Sequence, residues 1–171
     1  MDSNNVCDNI RIEKVTLNAG CGRDASRVDK SFLLFEKITS QKPVKTFSKK
    51  RIPAWDLRPG LPIGVKVTVR GKNAEPLLKR LLGGVENLSS KAFDNQGNFS
   101  FGLKEYISIP GLEYNHDIGI LGFDVAVTLE RIGFRVKKRR SKPASLPTRK
   151  KIGKSDAMEF IKSTFGKEIA K

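Results

Sequence analysis

The sequence predicts an α+β fold: a mostly antiparallel sheet with helices packed on one face, followed by a basic C-terminal arm and a short helix. Strand and helix patterns are mixed without the regular alternation that marks parallel sheets. Apolar and polar residues alternate in the predicted strands, as expected when one sheet face is buried. Acidic residues are absent from 131 to 153. We therefore predict an α+β domain at residues 1–130 and an arm with a closing helix at residues 131–171.

The first predicted strand covers residues 12–18. Val15 and Leu17 fall on one side, whereas Lys14, Thr16 and Asn18 fall on the other. This period of two is typical of a half-buried strand.

A helix is predicted after the break at residues 20–22. Ser26 is the predicted N-cap, and Asp29 completes a capping-box pattern. The apolar stripe consists of Val28, Phe32, Phe35 and Ile38.

Residues 48–61 are predicted to form a long exposed loop that carries Trp55. Pro53, Pro59 and Gly60 disfavour regular structure there. A loop of this length in a compact domain is usually functional or disordered. Stacking of Trp55 on a partner and packing of Trp55 against its own chain are equally compatible with the sequence.

The clearest strand, residues 63–70, leads into a second helix. Its apolar residues alternate with Lys66, Thr68 and Arg70. Asn73 is the predicted cap of the helix, and residues 83–84, both glycine, end it. The predicted buried side of the helix consists of Leu77, Leu78, Leu81 and Leu82.

Three more strands and one helix complete the prediction. The strands lie around residues 99–101, 106–109 and 123–129, with a turn at residues 110–111. The closing helix has Ser155 as its cap and ends at Gly166, and its apolar stripe consists of Met158, Ile161 and Phe165.

The charge of the chain favours a polyanionic partner. In 171 residues there are 33 Lys and Arg against 18 Asp and Glu, which gives a formal net charge of +15. Lysine and arginine that neutralise phosphates release condensed counterions, so such a chain suits nucleic acid. The plainer alternative is a protein that is merely basic.

A cytoplasmic location is predicted from the polar start of the chain and from the lack of a long apolar run. Cys7 and Cys21 are compatible with a disulfide, but a reducing compartment favours free thiols.

Catalysis, metal binding and cofactor binding are not predicted. The single histidine, His116, has no nucleophile positioned beside it by the sequence. Two cysteines and one histidine fall short of the usual zinc patterns. Residues 60–66 lack the spacing of a phosphate-binding loop, so a rigid turn that enters a strand is the better interpretation.

Two surfaces are candidates for RNA. If the first strand and the strand at 63–70 expose the same face, that face carries Lys14, Thr16, Asn18, Lys66, Thr68 and Arg70. A solvated sheet face is an equally good interpretation. The arm at residues 131–154 contains two basic clusters and would order on RNA; a flexible linker is its alternative. The clusters are Lys137, Lys138, Arg139 and Arg140, and Arg149, Lys150 and Lys151.

The sequence resembles the large-subunit ribosomal protein five family, which binds 5S ribosomal RNA, over nearly its whole length. The matching segments occur in the family's order: IEKVTLNAG at 12–20, QKP at 41–43, RPGLPIGVKVTVRG at 58–71, FDNQGNFS at 93–100, GLKE at 102–105 and GFD at 122–124. The arm and the closing AMEFI segment at 157–161 resemble the archaeal and eukaryotic-type version.

The resemblance implies a structural, non-enzymatic protein of the ribosome. It implies that Asn18, Gln41 and Thr68 contact 5S RNA in the central protuberance. The loop at residues 49–58 would contact the peptidyl-site transfer RNA, through Lys49, Lys50, Arg51, Trp55 and Arg58. Residues 85–90 would face a small-subunit head protein in an intersubunit bridge. Large-subunit RNA and neighbouring large-subunit proteins are the other implied partners. A free RNA chaperone and an RNA-processing enzyme are the rival hypotheses.

Overall fold

The computed structural model describes residues 9–85 and 87–170 and confirms the α+β class. In chain order the elements are β1 (Ile10–Gly20), α1 (Ala25–Thr39), β2 (Val44–Phe47), β3 (Pro62–Arg70), α2 (Ala74–Gly83), β4 (Leu88–Ser89), β5 (Phe99–Leu103), β6 (Phe123–Arg131), α3 (Arg135–Lys138), α4 (Lys154–Phe165) and β7 (Ile169–Ala170). Five strands form one antiparallel sheet in the order β2-β3-β1-β6-β5, and β4 and β7 form a separate parallel pair.

The core lies between the sheet and the helices, on the face that the strand patterns predict. Val15 and Leu17 of β1 are fully buried, together with the alternating valines of β3 and β6. The rings of Phe35 in α1 and Phe123 in β6 meet edge to face, with their centroids 5.3 Å apart. The predicted apolar side of α2 is buried as a whole. Burial of this single continuous surface is the main stabilising contribution.

The starts of α1 and α4 differ from their predicted caps, whereas α2 begins after Asn73 and α4 ends at Gly166 as predicted. The carbonyl of Asp24, two residues before Ser26, accepts the first helical bond of α1, so the predicted Ser26 cap is wrong. Asp29 pairs instead with Lys45 of β2, at 2.6 Å. The predicted Ser155 cap is also wrong, because α4 begins after Gly153, whose N–H donates to Asp156 Oδ2 at 3.3 Å. Several residues near each helix start can act as its N-cap, and tertiary contacts determine at which of them the helix begins.

The predicted strand at residues 106–109 is wrong, because Tyr106–Ser108 form a short 3₁₀ turn. Tyr106 and Ile109 are the buried residues, and their spacing of three matches a turn instead of a strand. The Tyr106 hydroxyl accepts a hydrogen bond from the backbone N–H of Asn115, at 2.8 Å. Strand β2 was not predicted: Val44 and Phe47 are exposed, so this short edge strand has no clear alternation.

The arm is folded against the domain. It contains α3 and a 3₁₀ turn at Thr148–Lys150. Ile152 is only 2% exposed and belongs to the core, and Ala157 and Ile161 of α4 extend the same core. The apolar residues within the arm therefore hold it in place, although its composition is otherwise that of a linker. The boundary at residue 130 stays a prediction.

Parallel pairing of β4 with β7 brings together segments 81 residues apart, Leu88 with Ile169 and Ser89 with Ala170. Lys167 Nζ also donates to the carbonyl of Val85.

Cys7 lies outside the described residues, and Cys21 is a buried free thiol 3.3 Å from Ser31 Oγ. Within residues 9–85 and 87–170, no helix is both long and apolar enough to cross a bilayer.

Gly97→Ala is expected to destabilise the protein by about 2–5 kcal/mol, because two costs add. Gly97 has a φ of +76°, and a Cβ there would lie 2.5 Å from Ile152 Cγ2. Gly111→Ala is the matched control, since its φ is +81° but its Cβ would meet nothing within 4 Å. Urea unfolding measures the free energy of unfolding of both variants and of the natural chain. Equal losses would show that the contact with Ile152 is unimportant.

Candidate nucleic-acid interface

The predicted polar residues of β1 and β3 lie opposite one another on the sheet face away from the core. The register pairs Lys14 with Arg70, Thr16 with Thr68, and Asn18 with Lys66. Directly paired residues point to the same side of a sheet, so the expectation that both strands expose one face is confirmed. The two threonine hydroxyls are 3.5 Å apart.

The same face continues across β6 and β5 with small side chains. Thr16 pairs with Ala126, which pairs with Ser100. Asn18 pairs with Asp124, which pairs with Gly102. Short side chains leave this half of the face shallow, and Asp124 places one exposed carboxylate on it.

Two carboxylates hold three cations at one end of this face. Glu13 is the extra residue of a bulge in β1 and binds Arg70 Nη1 at 3.2 Å and Lys138 Nζ at 2.6 Å. Glu130 of β6 binds Arg11 Nη2 at 2.6 Å and Lys138 Nζ at 3.2 Å. Both carboxylate side chains are only 13% exposed. This network, which the sequence does not predict, holds α3 against the sheet through Lys138.

The network lowers the pKa of Glu13. Burial alone would raise this pKa, but the hydrogen bonds and charges of Lys138, Arg70 and Lys14 together outweigh it. A carboxylate whose pKa is depressed by folding adds stability above its unfolded pKa, and this contribution is lost as pH falls through the folded pKa.

Glu13→Gln is expected to lower the free energy of unfolding by about 1–3 kcal/mol near neutral pH, because charged hydrogen bonds are lost. Between about pH 7 and about pH 3, the natural chain should lose more stability than the variant. Urea unfolding at each pH measures this difference, with the exposed Glu113→Gln as control. Parallel pH profiles for the natural chain and Glu13→Gln would contradict the prediction.

Gln41 lies apart from the paired strands, in the turn between α1 and β2. Its backbone N–H donates to Thr39 Oγ1 at 3.3 Å, and the residue is half-buried. Because β2 is the edge strand next to β3, Gln41 borders the polar face instead of belonging to its centre.

The loop at residues 49–58, called the basic loop below, is compact and connects β2 to β3. A backbone bridge joins Ile52 to Leu57, which is buried, and Trp55 between them is 68% exposed. Arg23 holds the loop from outside through Asp56, at 2.6 Å. The predicted loop is therefore confirmed, although it contains a 3₁₀ turn at Pro53–Trp55. Its exposed cations are Lys49, Lys50, Arg51 and Arg58.

The predicted cations of the arm do not share one role. Lys138 is bound to Glu13 and Glu130, and Arg139 Nε donates to the carbonyl of Lys142 at 2.7 Å. Lys150 is half-buried, and the side chain of Arg149 lies outside the described part of the structure. The exposed residues of the arm include Lys137, Arg140 and Lys151.

His116 is exposed in a turn, where the N–H of Asp117 donates to Asn115 Oδ1 at 2.9 Å. Within the described ranges, His, Cys, Asp and Glu form no group of three that could hold a metal ion.

Two family models together match most of the chain. Residues 5–58 match the family described as Ribosomal protein L5, and residues 62–160 match the model of the C-terminus of the same ribosomal family. The chain belongs to the ribosomal protein L5 family. Its role is therefore structural and non-enzymatic, as predicted.

Curated relatives of the L5 family cover almost the whole chain. The large ribosomal subunit protein uL5 of Sulfurisphaera tokodaii is 46% identical over 94% of this chain and 92% of its own length. The uL5 protein of Nanoarchaeum equitans is 44% identical over 94% of this chain and 95% of its own length. That of Methanosphaera stadtmanae is 40% identical over 96% and 99%. These relatives confirm the archaeal-type L5 resemblance and a place on the cytoplasmic ribosome.

Proposed function

We propose that this L5-family chain binds 5S ribosomal RNA through its polar sheet face and anchors that RNA in the central protuberance of the large subunit. The pairing of Lys14 with Arg70, Thr16 with Thr68, and Asn18 with Lys66 carries the proposal, because it gathers cations and neutral polar groups on one surface. Cations supply affinity for phosphates, while fixed hydroxyl and amide groups set the register on sugars and base edges.

Recognition by this face would depend on shape more than on base stacking. Its central pairs contain no aromatic residue, whereas sheets that read single-stranded RNA usually stack bases on aromatic side chains. A shallow polar surface suits the backbone and the 2′-hydroxyls of a structured RNA.

Binding to 5S RNA and to an unrelated structured RNA of similar length, measured across a salt series, tests the proposal. We expect a preference for 5S RNA that persists near physiological salt, because neutral contacts do not release counterions. Equal binding that collapses together as salt rises would instead favour a free RNA chaperone.

The basic loop is proposed to contact transfer RNA in the peptidyl site. The loop that carries the exposed indole of Trp55 also carries four exposed cations, Lys49, Lys50, Arg51 and Arg58. Cations and an exposed aromatic ring on one loop suit RNA.

Trp55→Ala is expected to weaken retention of peptidyl-site transfer RNA on reconstituted large subunits by about 1–3 kcal/mol, because a stacking surface is lost. Binding to 5S RNA should not change. Phe47→Ala removes another exposed aromatic residue, 57% exposed in β2, and serves as the control. Loss of 5S binding with normal transfer RNA retention in Trp55→Ala would reverse the proposed assignment.

The arm is proposed to reach 5S RNA and large-subunit RNA, and the segment around residues 85–90 to face a small-subunit head protein. Pairing with β7 supports the second assignment, because it gives β4 a fixed position in which Leu88 is buried and Ser89 is exposed. Neighbouring large-subunit proteins complete the proposed set of partners.

A further inference from the structure

A cleft of about 320 Å³ lies between the turn at residues 94–97 and the folded arm. Phe134 and Leu146 line it with apolar surface, and Lys137 and Lys151 stand beside them. Asn95 and Gln96 line it from the opposite turn. The role proposed above for the arm involves its cations, including Lys137 and Lys151, but not the apolar wall of this cleft.

The walls of the cleft are fixed by packing and backbone hydrogen bonds. Ile152 is 2% exposed and packs so closely on Gly97 that a methyl group there would clash. Phe134 packs partly against the main core. The N–H of Ala144 donates to the carbonyl of Val136 at 3.3 Å, which closes the arm into a loop. The cleft is therefore built before any ligand arrives.

The lining has the chemistry that recognises a nucleotide. An apolar wall accepts the face of a base, side-chain amides can donate and accept at its edge, and ammonium groups bind phosphate. Among the residues that the structure describes, those lining the cleft include no carboxylate. By contrast, a cleft beside the start of β1 is lined by Glu13, Glu75 and Glu130 together with Arg11.

We propose that this cleft receives one unstacked RNA nucleotide, with its base against Phe134 and Leu146 and its phosphate near Lys137 and Lys151. The volume lies at the lower end of the range of ~300–1,000 Å³ for small-ligand sites, so it suits one nucleotide. This inference rests on the proposed RNA-binding role but concerns a site separate from the sheet face.

Nuclear magnetic resonance of the full chain tests the proposal, with hexauridylate and hexaadenylate as probes. We expect the side-chain amide signals of Asn95 and Gln96 to shift on titration with at least one of them. Inorganic tripolyphosphate, which has charge but no base, is the control. The same shifts with tripolyphosphate, or no shift with either hexanucleotide, would overturn the proposal.

Leu146→Ala is expected to lower hexanucleotide affinity about fivefold or more with an unchanged salt dependence, because a neutral contact with a base is lost. Leu33→Ala, an exposed leucine of α1, is the matched control. If Leu146→Ala does not fold, Gln96→Ala replaces it, since that residue is exposed. An affinity equal to that of the control would overturn the proposal.

The outcomes separate this inference from the role of the sheet face. If the chain prefers 5S RNA but the Asn95 and Gln96 signals do not shift with either hexanucleotide, only the proposal for the cleft is overturned. Shifts with a hexanucleotide in a chain that does not prefer 5S RNA would support the cleft and reject the 5S proposal.

Discussion

Replacing Lys137, Arg139, Arg140 and Lys151 by glutamine is expected to flatten the salt dependence of 5S RNA binding. Each lysine or arginine on a phosphate contributes about one unit to the log–log slope, so the slope should fall by about four. The ratio of the natural chain's affinity for 5S RNA to that of the variant should then fall roughly 150–250-fold as salt rises from about 50 to about 200 mM. Filter binding across that range measures the slopes.

Substitution is the appropriate test because deletion of the arm would also remove Ile152 from the core. Lys138 stays unchanged, since it is bound to Glu13 and Glu130. A variant with four exposed lysines replaced elsewhere has the same net charge and should keep most of the slope; those residues are Lys30, Lys37, Lys79 and Lys91. Equal slopes for the two variants would show that the arm acts only through net charge.

Alanine at Asn18, Gln41 and Thr68 together is expected to weaken 5S binding by about 1.5–4.5 kcal/mol. Each neutral hydrogen bond contributes about 0.5–1.5 kcal/mol, and the loss should leave the salt slope unchanged because no charge is removed. Calorimetric titration with 5S RNA at two salt concentrations measures both quantities.

Thermal unfolding of this triple variant should match that of the natural chain, because Asn18 and Thr68 are exposed and Gln41 is half-buried. A second triple variant, with alanine at Ser26, Ser155 and Thr164, removes three exposed hydroxyls from helices. It should bind 5S RNA normally. Unchanged affinity in the first variant would remove these residues from the proposed contact surface.

The strands that form the centre of the sheet are predictable from the sequence because their alternation reflects burial of one face. Residues 12–18 and 63–70 fall within β1 and β3 for that reason. Edge strand β2 escapes prediction because Val44 and Phe47 are both exposed, so burial imposes no alternation on it. Around Tyr106 and Ile109 the error is the opposite one, because a strand is predicted where none exists. These buried residues are three apart and belong to a 3₁₀ turn.

The candidate site is predictable only where it follows from strand phase. The polar sides of β1 and β3 identify the face, but not the partner of each residue across the strands. Glu13 breaks the alternation between Ile12 and Lys14, which indicates a bulge. Its ion pairs with Arg70 and Lys138 join positions 57 and 125 residues away, and no local pattern specifies such pairs.

The parallel pairing of β4 with β7 also sets the order in which the protein takes shape during synthesis. At roughly 5–20 residues per second, the 81 residues that separate Leu88 from Ile169 take roughly 4–16 s to be made. All five strands of the main sheet are complete once Arg131 has been added. The main sheet can therefore form before β7 has been synthesised and can pair with β4. A nascent chain paused before β7 would carry the polar sheet face but lack this pairing at the proposed bridge segment.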